Sequence, residues 1–488
     1  MPAFIETKIE IDLSDQPHIP PTPMKKLWRI SKWLMSIIVG LAVIVIACWW
    51  LLPDEQLNPD AERLIAVPPS PPVTQNAYFM IWGLRASPDI DPHTAGQKIV
   101  SAHQHLLATK SNISDFKVDP FLGPHPLSFA SSNKRYCDIE KQRCLAVYQD
   151  IRSQIEADSA KYALYLERYR AIRSYAQFSE TAMTMTPMSP MPNYVELTRL
   201  SGLIDATVAL HLASPATREA AIDELDAEIV LWRRILVSSD SLITQMISVA
   251  VLQRKYRLAS EIMIAYPELV RHYPAKMAQI TLPLRVKETN LIRALGGEFR
   301  FVAYFYRNIE HMNEQTSGDD IFSNFFNAIQ LAGGYRTNAT VNEAYARYWE
   351  GAQLYAKTPK EVLAGHTALS LKQSQFNPLT LNAIIYNPIG KVLGNIAMPD
   401  YSDYSFRLYD LVGLSRLVDI QRRTIEGNID PEKLTEFLAG TGPNLVDPYT
   451  EEPMQWNATQ KTVYFAGHGK RFLNAGRMQI ELGAKKSM

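Results

Sequence analysis

Cysteine is scarce: the chain has three in 488 residues. That excludes a scaffold stapled by many disulfides. A structural zinc site needs four ligands, and His125, the histidine nearest Cys137 and Cys144, stands alone at no ligand spacing. Excess charge is absent too, since Lys plus Arg and Asp plus Glu each number 50. No basic field gathers phosphates, so nucleic acid is not an expected partner. The common catalytic signatures are also missing. There is no Gly-x-Ser-x-Gly elbow, no His-Glu-x-x-His and no phosphate loop. "FAGHGKRF", with Gly467, Gly469 and Lys470, reads as a turn with a basic rim. No period of about 34 or 40 residues repeats, so no tetratricopeptide or HEAT array is expected.

One long apolar run is present. "WLMSIIVGLAVIVIACWWLL", Trp33 to Leu52, carries no charge. At 1.5 Å per residue it matches a hydrocarbon core of about 30 Å. Trp33, Trp49 and Trp50 sit near its ends, where indoles prefer the interface. Lys25, Lys26, Arg29 and Lys32 precede it, and Asp54, Glu55 and Asp60 follow. The positive-inside rule leaves the N-terminus in the cytoplasm and sends the rest across. The run is too long for a cleaved signal peptide. An alternative start at Met24 would make "VIAC" a lipobox and Cys48 the acylated residue, but Trp49 and a continuing apolar run weigh against it.

On the far side of a membrane, thiols oxidise and stay oxidised. Cys137 and Cys144 are the only pair there, and six intervening residues can bring their Cα atoms to about 5.5 Å. A structural disulfide is favoured over free thiols. The short loop makes it worth about 2.5 kcal/mol in the chain-entropy model. Cys-x-x-Cys redox spacing is absent.

The rest reads as mostly α, an irregular helical bundle or α-solenoid. Boundaries fall as a cytoplasmic tail (1–32), a membrane helix (33–52), a Pro-rich spacer (53–72), a helical domain (73–440) and a cap holding a small β-hairpin (441–488). Pro68, Pro69, Pro71 and Pro72 suggest a stiff spacer that holds the domain off the membrane. Ile222, Leu225, Ile229, Trp232 and Leu236 share one helical face, and 240–265 should pair with that helix as an antiparallel hairpin. Further helices are expected at 154–178, 194–212, 283–309, 340–356 and 402–426.

Candidate sites are few. Met183, Met185, Met188 and Met191 crowd a proline-containing loop, and clustered thioethers select Cu(I). The competing role is gap filling. Glu288 and Glu298 could serve as a carboxylate pair for acid–base hydrolysis, with Glu298 and Arg300 as an ion pair. Tyr162, Tyr165 and Tyr169 at helical spacing could stack on cell-wall sugars, or form core. His103 and His105 at i, i+2 chelate poorly on a helix and are expected in solvent. No cofactor is expected apart from the Cu(I) alternative.

"NAYFMIWGL", the Cys137–Cys144 loop leading into "LERYRAI", "YVELTRL…VLWRRIL…SLITQMI" and the tail "DPYTEEPMQW" give this chain its resemblance to a family. It resembles an uncharacterised family of bacterial single-pass inner-membrane proteins with a large helical periplasmic domain. The resemblance implies a bacterial inner-membrane and periplasmic setting, and no activity. It also implies glycine where this chain has Glu451. The first functional expectation is a membrane-anchored interaction or scaffold module for an envelope protein or cell-wall glycan. An envelope hydrolase and a copper-handling protein are the alternatives.

Overall fold

A computed structural model describes residues 23–109, 116–129, 136–139, 142–309, 333–374, 380–397, 401–469 and 476–482. Most of residues 1–32, and Lys470, lie outside them. The long apolar run is a helix, α1, spanning Pro23–Leu51, whose most apolar window within Trp28–Leu51 holds no buried residue. It is the only helix among the described residues that is long and apolar enough to cross a membrane.

The segment after it is not a free spacer. It holds α2 (Pro59–Ile65), capped by Asn58; Ala61 and Leu64 of this helix, with Leu57 just before it, join the apolar core. Pro69, Ser70 and Pro71 then line a surface cleft with Arg233 and Arg234. Apolar positions at 57, 61 and 64 give this short stretch a face to bury, which the prolines alone do not reveal.

"NAYFMIWGL" supplies α3 (Tyr78–Gly83), in which every residue is buried. It packs on α4 (Pro92–Ala108), started by the Asp91 carboxylate accepting from the Thr94 amide at 2.7 Å. The single helix expected at 154–178 is broken. Helices α5 (Cys144–Asp150), α6 (Arg152–Lys161) and α7 (Ala163–Ala171) turn at Ile151 and Tyr162. Cys137 and Cys144 are bridged, with Cα atoms 5.7 Å apart, immediately before α5.

The expected hairpin is present as α9 (Arg218–Ser238) and α10 (Leu242–Ala265), beside α8 (Tyr194–Leu212). Helix α10 is the hub, packed against α8, α9 and later helices, and it is apolar on several sides for that reason. Its Lys255 is fully buried, bridging Asp205 and Glu228, with Glu228 at 2.8 Å. After α11 (Glu268–His272) and α12 (Pro274–Ile280), α13 (Ile292–Arg307) begins nine residues later than the pattern suggested, because Pro283 opens a loop and a short 3-10 turn.

Helices α14 (Thr337–Tyr355), α15 (Pro359–Ser374), α16 (Leu381–Ile385) and α17 (Pro388–Ala397) form the side next to α1 and α2. The long α18 (Ser402–Glu426) lies along α10, and α19 (Leu434–Ala439) follows. The C-terminal cap is a three-stranded antiparallel sheet, β1 (Gln455–Asn457), β2 (Thr462–Ala466) and β3 (Arg477–Glu481), one strand more than a hairpin. Phe465 lies on Gly413 of α18, where a Cβ would meet the ring at 2.2 Å.

Candidate functional site

A cavity of about 880 Å³ opens between the methionine-rich loop, the α9–α10 turn and α13. Its size is that of a small-molecule site. Thioether, aliphatic and aromatic groups (Met185, Ile243, Phe301) give it mainly apolar walls. Ile65 and Val67, from the segment that follows the apolar helix, complete one side.

Buried carboxylates build the frame of this cavity. Glu180 accepts from the Asp240 amide at 2.9 Å, the Ser241 amide at 3.2 Å, the Thr244 hydroxyl at 2.6 Å and the Tyr194 hydroxyl at 3.1 Å. Glu298 accepts from the Leu242 amide at 3.0 Å. Glu180 therefore holds the two amides that lead into α10, and Glu298 holds the first amide of the helix, which the helix cannot satisfy itself. Burial raises both carboxyls above the ordinary range, and their hydrogen bonds oppose it. Asp240 is bidentate with Arg293, at 3.0 and 3.1 Å, and lies 3.5 Å from Arg300. Arg300 thus pairs with Asp240, in place of the expected pair with Glu298. Gly297 lets α13 close on this turn, since a Cβ there would sit 1.5 Å from the Asp240 carbonyl oxygen.

Glu288 is not brought to Glu298. It lines a different cleft, where Arg233 grips it at 2.8 and 3.0 Å. Its other role is to cap the 3-10 turn at Arg285, at 2.9 Å. The proposed carboxylate pair is thereby corrected: one carboxylate is tied into an ion pair outside the cavity.

Of the four methionines, Met183, Met185 and Met191 line the cavity. Met183 is buried in the core, Met191 is half exposed at the rim, and Met188 is not among the lining residues. The loop is pinned by His103. Its Nε2 lies 2.8 Å from the Ser189 hydroxyl, which in turn accepts from the Thr186 amide at 2.9 Å. His103 is fully buried, against the expectation of a solvated ring, because the loop folds over α4. Burial pushes its imidazolium down to about 4, so the ring is neutral.

The tyrosines do not form a groove. Tyr165 and Tyr169 are sealed inside, donating to Glu196 and to Glu228, the latter at 3.0 Å. The turn between α6 and α7 separates Tyr162 from them. It stacks on Phe129 at 4.2 Å and lines a second cavity of about 830 Å³ with Arg199, Met246, Ile247 and Tyr404. Ile243 is common to both cavities.

Sequence reasoning found Glu298 and the methionines, placed His103 in solvent, and missed Glu180 and Asp240. Glu180 and Asp240 stand sixty positions apart, and no local pattern marks either as a partner of the other. Compared with known protein families, curated proteins and solved structures, the chain matches none.

Proposed function

We propose that this chain is a membrane-anchored, extracytoplasmic binding module of the bacterial envelope, and that the cavity beneath the methionine-rich loop takes a small amphipathic ligand. The observation that carries this reading is the division of labour in that cavity. Its walls are mainly apolar, while Glu180, Asp240 and Glu298 are each engaged in holding helix ends or arginines. Such groups give shape and rigidity more readily than proton transfer. Arg307 and Tyr304 on one wall can donate to the polar end of a ligand. The disulfide and the single apolar helix fit an anchored domain in an oxidising compartment.

The test is native mass spectrometry of full-length protein released gently from its host membrane, wild type beside Thr184→Trp, which fills the cavity. A ligand mass on wild type that is lost from the variant supports the reading. A bare wild type, or a mass retained by the variant, rejects it. One observation favours a hydrolase instead: Glu298 is a carboxyl with raised affinity for its proton, lining a cavity. In that case a ligand mass would turn over in wild type and accumulate in Glu298→Gln. A Cu(I) site would rest on Met183, Met185 and Met191, and its mark would be copper in the same spectrum.

A further inference from the structure

The end of α1 is clamped to the folded body. The Trp49 indole N–H donates to the Ile384 carbonyl of α16 at 2.9 Å. The Arg336 guanidinium donates to the Leu52 carbonyl at 2.7 Å and also to the Trp49 carbonyl. These carbonyls lie in the last turn of α1 and just beyond it, where no intrahelical donor is available. The Tyr386 hydroxyl donates to the Pro53 carbonyl at 3.3 Å. Asp54 closes the clamp from the other side, accepting from the Asn338 and Ala339 amides at 2.8 and 3.0 Å, at the start of α14. Asn387, in the left-handed region at φ 56°, ties α14 to the α16–α17 turn by accepting from the Arg336 amide at 2.8 Å.

These contacts fix a depth. Indoles at the end of a spanning helix sit at the membrane interface. Ile384 is hydrogen-bonded to that indole, and α16 is only five residues long, so the whole of it lies at the same level. Two of the three exposed side chains of α16 are apolar, Leu381 at 72% and Ile384 at 37%, beside the exposed Asn382; Trp50 at the end of α1 is likewise 72% exposed. Seating these side chains in the interface removes their exposed apolar surface from water. Leaving them in water next to a bilayer has no such return.

We infer that α16 is a second membrane contact, with Leu381 and Ile384 seated in the interface beside Trp49 and Trp50, so that the domain rests on the bilayer in one orientation. The partner is the lipid surface. The inference relies on the reading that Trp28–Leu51 spans the membrane. It reverses the expectation of a spacer that holds the domain away.

The experiment uses full-length protein in phosphatidylcholine/phosphatidylglycerol vesicles, in a Cys48→Ser background. An environment-sensitive fluorophore is attached at Leu381→Cys or, separately, at Ile38→Cys, and lipids brominated near the headgroup or deep in the chains act as quenchers. The expected result at position 381 is blue-shifted emission quenched by the shallow bromines, reverting to water-like emission when Arg336→Ala opens the clamp. Position 38 should be quenched by the deep bromines in both backgrounds. Water-like, unquenched emission at 381 with position 38 still quenched would overturn the inference while leaving the anchor intact. Persistence of shallow quenching at 381 in Arg336→Ala would overturn the clamp as its cause. An unquenched position 38 would remove the membrane span itself.

Discussion

Replacing Lys255 with methionine tests the centre of the domain. The Lys255 ammonium is 0% exposed and bridges Asp205 and Glu228, which are 1% and 0% exposed. Arg254 holds Asp205 at 2.9 Å, and Arg173 holds Glu228 at 2.6 Å. Tyr169 and Ser201 each donate to Glu228 at 3.0 Å. Burial pushes the Glu228 carboxyl up, but Lys255 and Arg173 outweigh it and bring it down to about 2. Lowering a carboxyl from 4.5 to about 2 is worth about 3 kcal/mol.

Methionine keeps the stem and removes the charge, so two carboxylates face each other with one cation fewer. The expected cost is about 3–5 kcal/mol, typical of breaking a buried ion pair. The assay is urea unfolding of the full-length protein in detergent at neutral pH. As a reference, Lys372→Met removes an exposed partner of Glu350 and should cost less than about 1 kcal/mol. The pH dependence gives a second readout. A carboxyl with a lowered folded pKa adds stability that is complete above its unfolded value, here 4.5, and is lost as pH falls through about 2. Without Lys255 that acid tolerance should shrink, and the variant should unfold at a higher pH than wild type. A Lys255→Met protein within about 1 kcal/mol of wild type would refute the reasoning, because two buried carboxylates that lose their shared cation cannot be that cheap.

Two other outcomes are expected. Glu451 adopts a left-handed conformation at φ 63°, where a side chain costs roughly 1–2 kcal/mol, while its ion pair with Lys360 is more than half exposed. Glu451→Gly should therefore raise the unfolding free energy by about 1 kcal/mol, and a loss in urea titration would contradict this. Asp410 is raised to about 7, chiefly by burial, against hydrogen bonds from the Tyr449 hydroxyl and the His468 and Gly469 amides. A raised carboxyl is fully compatible with folding below its unfolded value of 3.8, and its contribution is lost as pH rises through about 7. Protection of 455–469 from hydrogen exchange, corrected for base catalysis, should fall from about pH 4 to about pH 7 and level off above; constant protection across that range would be the contrary result.

Part of this protein was legible one residue at a time. The apolar length of α1, the period of α9 and the Cys137–Cys144 spacing depend on neighbours in sequence, so local pattern sufficed. Glu451 takes a left-handed backbone at φ 63°, a conformation its residue type does not signal. Glu298 and the methionines stood out by residue type alone. What they form did not, because the cavity depends on Glu180 reaching the Asp240 amide, sixty positions away, and on Gly297 admitting that same turn. Tyr165 and Tyr169 carried the same helical spacing whether they faced a sugar or the core, and only the packing of α7 against α8 and Glu228 decided it. The segment 53–72 looked like a spacer by composition. Tertiary structure made it a wall of the cavity and half of a clamp, since hydrogen-bond partners such as Asn338 and Asn342 lie nearly three hundred residues away. Sequence by itself determined the helical class, the single apolar span and the disulfide; which polar groups are sealed, paired or left facing a cavity was decided by long-range packing, because burial is a property of the assembled chain and of no single segment.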